Sequence, residues 1–404
     1  MQSKKIVTLK NNSKHFDFIE ELHNFEFNGN KPTIFESDII PYYIGEFWTS
    51  KQRQGNPLHE ISYRACFKPQ LPEFFISRLT SVGDVVYDPF MGRGTTPLQA
   101  ALMGRNAIGN DVNPLSAMLV QPRLNPPMID EISDRLKAID WDKPKTLNEE
   151  LLAFYHRETL REIEALRLHF LGRELDNVDD WIRMVAINRL TGHSPGFFSV
   201  YSMPPNQAVS LKAQIKINEK RNQVPPRRNV SEIILKKSRS LLKGSEAHFG
   251  QGEQGEFHIS SASNTPNIKT SSIDLVVTSP PFLDIVQYAN DNWLRCWFAR
   301  IEVKDVEITM HKKVESWSEF VRSTFKELAR VVKSGGHVAF EVGEVRGGKV
   351  ELDKLVLEAV KGLPFEALGV VVNTQNFTKT ANCWGVANNS KGTNSNRIVV
   401  FRRG

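Results

Sequence analysis

The chain has 404 residues, 40% apolar and 24% charged, proportions that exclude a disordered or fibrous protein. It carries no apolar run of about 18 residues that would span a membrane. The opening Met1 to Lys5 leads into a polar stretch without the apolar core of a signal peptide. Cys66, Cys296 and Cys383 are far apart and suggest neither a disulfide framework nor a metal site, so a cytoplasmic protein is expected. The net charge is +6, and its excess is local: Lys212 to Lys243 holds ten basic residues against Glu219 and Glu232. Such a stripe fits a phosphate-binding surface and equally a solvated helical face.

In chain order, residues 1–54 read as a mixed arm with aromatics near its end. Residues 70–80 have helical spacing, with Leu71, Phe74, Phe75, Ile76 and Leu79 on one face. Val85-Val86-Tyr87 is a short buried strand, followed by Asp88-Pro89-Phe90-Met91-Gly92-Arg93-Gly94-Thr95-Thr96 and a helix over 97–103. Asn106 to Asp111 is a second strand ending in an acid, which completes a strand-turn-helix-strand unit, the opening of an open α/β sheet. Residues 125–255 are rich in proline and helical stretches and contain the basic stripe. Strands resume at Phe257-His258-Ile259 and Ile273 to Val277. An amphipathic helix covers Phe320 to Val332, with Gly335-Gly336 as its stop. His337 to Val342 and Arg397 to Phe401 are the last strands.

The glycines of the first turn allow a close backbone approach to a ligand at the carboxyl end of a strand. Asp88 sets a carboxylate beside that ligand. Asp111 stands where an acid accepts hydrogen bonds from ribose hydroxyls. The turn lacks the third glycine of a dinucleotide fingerprint and the Gly-Lys-Thr of a P-loop. A nucleoside ligand without a pyrophosphate suits it better than NAD or ATP.

Asp88 to Thr96 resembles the first motif of the amino-group DNA methyltransferases, in which a serine usually stands at the position of Arg93. The resemblance implies a Rossmann-like S-adenosylmethionine-dependent fold with a mostly parallel open sheet. It implies that Asp88, Phe90, Gly92, Gly94 and Thr95 contact the cofactor and that Asp111 holds its ribose. The stretch His59 to Phe75, with Tyr63-Arg64-Ala65-Cys66-Phe67-Lys68-Pro69, is similar to the family's motif that closes over the methionine end. Phe67 and Pro69 are its candidate contacts. Where many relatives carry Gly-Asp-Ala, this chain has Ser260-Ser261-Ala262. The similarity covers roughly 55–125 and 255–404.

Thr278-Ser279-Pro280-Pro281-Phe282 follows a buried strand directly. Its prolines remove backbone donors and stiffen the loop, which leaves carbonyls as acceptors. The exocyclic amine of a base is a poor nucleophile because its lone pair is delocalised into the ring. The Ser279 hydroxyl and the Pro280 carbonyl are the candidate acceptors for its two N–H groups. Pro281 stiffens the loop, and Phe282 is placed to stack on the base. Catalysis would then rest on proximity and orientation, with the base flipped out of the duplex. Ser-Pro-Pro-Phe resembles the cytosine-N4 enzymes, whereas adenine-N6 enzymes more often have Asp or Asn in first position. N6 of adenine is the alternative target.

The expected organisation is an arm (1–54), a first core part (55–124), an inserted, largely helical target-recognition region (125–255) and a second core part (256–404), the order resembling the α group. Lys220, Arg221, Arg227 and Arg228 are the candidate contacts to double-stranded DNA, while His193 reads as structural. The resemblance implies the modification half of a restriction-modification pair, with a companion endonuclease encoded nearby. The rival readings are a tRNA guanine-N2 methyltransferase and a non-catalytic nucleic-acid-binding protein with a relic fold.

Overall fold

A computed structural model describes residues 17–37, 39–49, 55–63, 66–204, 208–244, 255–283, 288–302, 304, 306, 311–345, 349–374 and 395–404. Met1 to Lys5, Arg64, Ala65 and Cys383 lie outside the described residues. Helix α1 (Phe18–Asn24) leads to strands β1 (Thr33–Glu36) and β2 (Pro41–Gly45), then α2 (Gln70–Leu79). Next come β3 (Val85–Asp88), α3 (Thr95–Leu102), β4 (Asn106–Asp111) and α4 (Pro114–Leu124). Five helices follow: α5 (Ile129–Ala138), α6 (Arg157–His169), α7 (Asn177–Arg189), α8 (Leu211–Arg221) and α9 (Val230–Leu242). The chain then returns to the sheet with β5 (Gly255–Ile259) and β6 (Ile273–Thr278), then α10 (Tyr288–Ala299) and α11 (Val314–Val331). It ends with β7 (Val332–Val342), β8 (Glu344–Val345), β9 (Val350–Glu351), α12 (Leu352–Val360), β10 (Phe365–Thr374) and β11 (Ser395–Arg403).

Nine strands form one sheet in the order β1-β2-β10-β11-β7-β6-β3-β4-β5. Strands β5, β4, β3, β6 and β7 are mutually parallel. Strand β11 runs antiparallel to both of its neighbours. The fold is therefore α/β with a mostly parallel open sheet. The parallel strands are buried because helices cover both faces: β6 is apolar except for Asp274 and Thr278. Successive residues take opposite faces. Val86 joins the core under α2, α3 and α4, and Tyr87 joins the core under α11 and α12. Helix α11 buries Trp317, Val321, Thr324, Phe325, Leu328 and Val331, an i, i+3/i+4 stripe laid against the sheet.

Three local expectations change. The segment read as an arm supplies α1 and a hairpin, and β2 pairs in parallel with β10, lengthening the sheet. Their alternation is hard to read because all of β1 is exposed. Strand β10, buried from Gly369 to Asn373, was also unrecognised. Gly335 and Gly336 do not stop the helix: α11 ends at Val331, and the glycines lie inside β7, where Gly335 has φ +78°.

Helices α5 to α9 do not form a detached body. Their buried residues, Trp181, Ile182 and Val185 among them, belong to the same apolar core as Val86, Leu98 and Leu119. The indole of Trp181 donates to Ser238 Oγ at 3.0 Å, which ties α7 to α9 inside that core. This helical layer stands over one face of the sheet and is anchored by α4 and α10.

Candidate active site at the switch point of the sheet

Strands β3 and β6 are neighbours, yet the chain leaves β3 toward β4 and β6 toward β7. Their carboxyl ends open on the crevice where open α/β sheets hold ligands. The register Val86↔Leu275 and Tyr87↔Val276 brings Asp88 level with the end of β6. Thr278 Oγ1 donates to Asp88 Oδ1 at 2.5 Å, and Thr96 Oγ1 donates to the Val277 carbonyl at 3.0 Å. The two motifs read from the sequence are thus hydrogen-bonded to each other.

Asp88 is 1% exposed and also accepts from the Phe90 N–H at 3.0 Å. Burial pushes its carboxyl up to about 7, against the pull of those hydrogen bonds. Its place is beneath the turn, holding it to β6. The turn itself uses left-handed backbone at Gly92 (φ +51°) and Gly94 (φ +77°). A Cβ on Gly94 would lie 2.3 Å from Val120, so this glycine also admits α4. A Cβ on Gly92 would meet nothing closer than 3.8 Å, so that side of the turn has room for a ligand.

Asp111 Oδ2 accepts the Gly92 N–H and Oδ1 accepts the Asn113 N–H, each at 2.9 Å. The residue is half-buried beside Gly92, and burial pushes its carboxyl above the usual carboxylate range. A nucleoside with vicinal hydroxyls fits this pairing of an open glycine and an aimed carboxylate. Phe90, half-buried, packs 5.5 Å from Phe320. Thr95 is buried and accepts from Arg93 Nε at 3.1 Å. Ser261, at the position usually held by an acid, is exposed and bonded to Ser263 Oγ at 2.9 Å.

The structure accounts for Arg93. Its guanidinium is buried and donates to the carbonyls of Ile61 (2.8 Å) and Phe67 (3.2 Å), stapling the segment before α2 onto the glycine turn. Arg123, also buried, donates to Leu58 O at 3.1 Å, Leu119 O at 2.8 Å and the carbonyl of Arg93. Burial and the neighbouring Arg93 push its guanidinium down to about 9. His59 lies beside both arginines, hydrogen-bonded to Gln99 at 3.0 Å, and burial holds it neutral, with its pKa down to about 3. Phe67 therefore serves the turn through its carbonyl, and Pro69 is buried at the entry to α2. The signal for this clamp was present as an arginine where a small residue is usual.

At the end of β6, the register Thr278↔Phe340 brings Ser279 beside Glu341 of β7, where its hydroxyl favours the ionised carboxylate. Asn396 Nδ2 donates to Glu341 Oε1 at 2.8 Å. Glu341 is 8% exposed, and burial pushes its carboxyl up to about 7. Sequence reasoning did not single it out, although an acid closing the run Val338-Ala339-Phe340 was its signal. Pro280 is buried. The expectation of free carbonyls fails at Pro281, whose oxygen accepts from Trp317 Nε1 at 2.9 Å and anchors the loop to α11. Phe282 is half-buried against the core under α11 and α12.

The four basic candidates lie at the end of α8 and on the connection to α9. Lys220 and Arg221 end α8, and the Arg221 guanidinium lies 3.8 Å over the Tyr201 ring. Arg227 pairs with Glu162 at 3.3 Å, and the Arg228 N–H donates to Thr159 Oγ1 at 2.8 Å.

Residues 9–118 match the DNA methylase family of N6 and N4 enzymes. The match contains the glycine turn and Asp111, and it supports S-adenosylmethionine as the cofactor of this cradle. Three curated relatives are similar over different lengths. A Type II methyltransferase of Methanocaldococcus jannaschii, M.MjaII, is 41% identical over 76 residues, 19% of this chain and 14% of that protein. M.BsoBI of Geobacillus stearothermophilus is 22% identical over 84% of this chain and 70% of its own length. M.MvaI of Kocuria varians is 25% identical over 60% of this chain and 56% of its own length. The chain thus spans from a seventh to seven tenths of the length of these relatives.

Proposed function

We propose that this chain transfers a methyl group from S-adenosylmethionine to the exocyclic N4 amine of a cytosine flipped out of double-stranded DNA, as the modification half of a restriction-modification pair. The observation that carries the reading is the hydrogen bond from Thr278 to Asp88, which sets Ser279 directly beside the glycine cradle. When bound there, the cofactor supplies an electrophilic methyl carbon. The names of the relatives, all methyltransferases of Type II systems, support DNA as substrate.

The protein's own part is orientation and proton handling. The Ser279 hydroxyl turns its hydrogen toward the Glu341 carboxylate, so its lone pairs are left to accept one N–H of the base amine. The Pro280 carbonyl accepts the other. Both bonds favour a pyramidal nitrogen whose lone pair is directed into the cradle. As the nitrogen gains its methyl group it must shed a proton, and Ser279 relays it to Glu341, ionised above about pH 7. Phe282 closes the pocket against the base. Asp88 and Arg93 are positioning residues that fix the turn from below and behind.

Cytosine is favoured because Ser-Pro-Pro-Phe resembles the loop of the cytosine-N4 enzymes; N6 of adenine presents the same amine geometry and is the alternative. Helices α5 to α9 are assigned to target recognition. There the exposed Lys220 and the half-buried Arg228 are offered as phosphate contacts, with Arg221 and Arg227 at lesser weight because the guanidinium of each has an internal partner. The test is tritium transfer from methyl-labelled S-adenosylmethionine to unmodified duplex DNA and, in parallel, to tRNA. Label in DNA is expected. Label in tRNA alone would replace the DNA reading with the tRNA one.

A further inference from the structure

A cavity of about 400 Å³ lies between the loop after α7 and the outer face of α9. Arg189, Lys236 and Lys237 line it, with Pro195, Gly196 and Ile233 as its apolar floor. Among the described residues its only acid is Glu232, which is held by Asn229 Nδ2 at 3.1 Å. Lys237 pairs with Glu60 at 3.1 Å. Arg189 packs 4.1 Å over the Phe197 ring, with its Nε on the Asn188 carbonyl at 2.9 Å; among the described residues no carboxylate stands at ion-pair distance from it, although Glu60 is near enough to act on its charge. Lys236 is exposed on α9. Lys236 is therefore left for a ligand from outside the chain, and Arg189, stacked on Phe197, presents its charge to the same cavity.

The cavity's position relates it to the crevice. Glu60, which receives Lys237, is adjacent in sequence to Ile61, whose carbonyl Arg93 holds against the glycine turn. One wall of the groove is thus tied through a single residue step to the cradle. A flipped base entering the crevice leaves its flanking phosphates outside. Cations over an apolar floor suit that chemistry: guanidinium and ammonium for phosphate oxygens, Ile233 and Pro195 for deoxyribose.

We propose that this groove binds backbone phosphates of the DNA next to the target base, and that Arg189 and Lys236 are the contacting cations. The proposal rests on the DNA-methyltransferase reading above. Its difference from the earlier expectation is the location, on α9 and the end of α7 rather than on α8.

The test measures binding of the full chain to a short mixed-sequence duplex by fluorescence anisotropy across a salt series, with S-adenosylmethionine affinity measured separately. In Arg189→Gln/Lys236→Gln the slope of log affinity against log salt should become shallower by about 1.8, roughly 0.9 per phosphate contact. Cofactor affinity should stay unchanged. Lys236→Gln alone, at an exposed position, should lose about half of that slope and guards against misfolding of the double variant. Arg189→Lys/Lys236→Arg should keep it. An unchanged slope in the glutamine variants, with the wild type binding DNA, overturns the groove and leaves the methyltransferase reading standing. A wild type that binds cofactor but no duplex DNA overturns both.

Discussion

At the switch point of the sheet, Thr278 donates to Asp88 and Thr96 to the Val277 carbonyl, and the residues Asp88 and Thr278 so joined are 190 apart in sequence. Along α8 and the connection to α9, by contrast, basic side chains rest on nearby partners: Arg221 on Tyr201, Arg227 on Glu162. The first region is buried and fixed by strand register. The second is exposed and held by single contacts worth little in water. Chemistry that needs atoms aligned within tenths of an ångström belongs to the first, and adjustable recognition of a charged polymer to the second.

Substitutions should separate the regions by what they change. The largest effect is expected at Ser279. Ser279→Ala removes an acceptor that matters only while the amine is reacting, so kcat should fall by about 10²-fold while cofactor affinity holds. Equal turnover would end the serine's role. Next is Asp111→Ala, which strips the carboxylate from Gly92 and from the proposed ribose site. Calorimetric titration should show S-adenosylmethionine binding weakened about tenfold or more, with kcat at saturating cofactor far less affected.

A pH profile sharpens the proton path. Glu341 must be ionised to act as acceptor, and burial holds its carboxyl up at about 7. Thus kcat should rise with pH to a plateau above neutrality, about tenfold lower one unit below the midpoint. Glu341→Gln should flatten that limb. The same raised carboxyls, Asp88 and Glu341, bind protons in the folded state that the unfolded chain has released. Their contribution to stability is therefore complete below their ordinary range and lost as pH rises through about 7. Thermal melts of Glu341→Gln and wild type should diverge as pH rises from about 4.5 to about 7 and keep a constant gap above it, with the variant the more stable.

Smallest of all is Arg227→Gln. If its pairing with Glu162 is its main role, the KM for DNA should change less than about twofold, as for an exposed ion pair. A tenfold rise would move DNA onto the connection before α9.

The contrast also explains what the sequence made legible. Turn chemistry is local: Gly92 and Gly94 need left-handed backbone whatever surrounds them, so the cradle was readable from a few adjacent residues. The buried run of β6 and the face of α11 were readable from periodicity alone. Glu341 was not, because its importance comes from register with Ser279 across two strands. Arg93 was visible as an oddity but had no meaning until the carbonyls of Ile61 and Phe67 were placed around it. Strand β1 was hidden by its exposure, and the glycines of β7 resembled a helix stop because Gly335 serves a left-handed turn and Gly336 the close approach of the Asp274 carbonyl.

The most direct measurement is nucleoside analysis by mass spectrometry of unmodified DNA after incubation with the protein and S-adenosylmethionine. N4-methylcytosine is the predicted product, abolished in Ser279→Ala. Methylated adenine would keep the crevice and its cofactor but shift the target, and no methylated nucleoside on DNA of varied sequence would contradict the account at its centre.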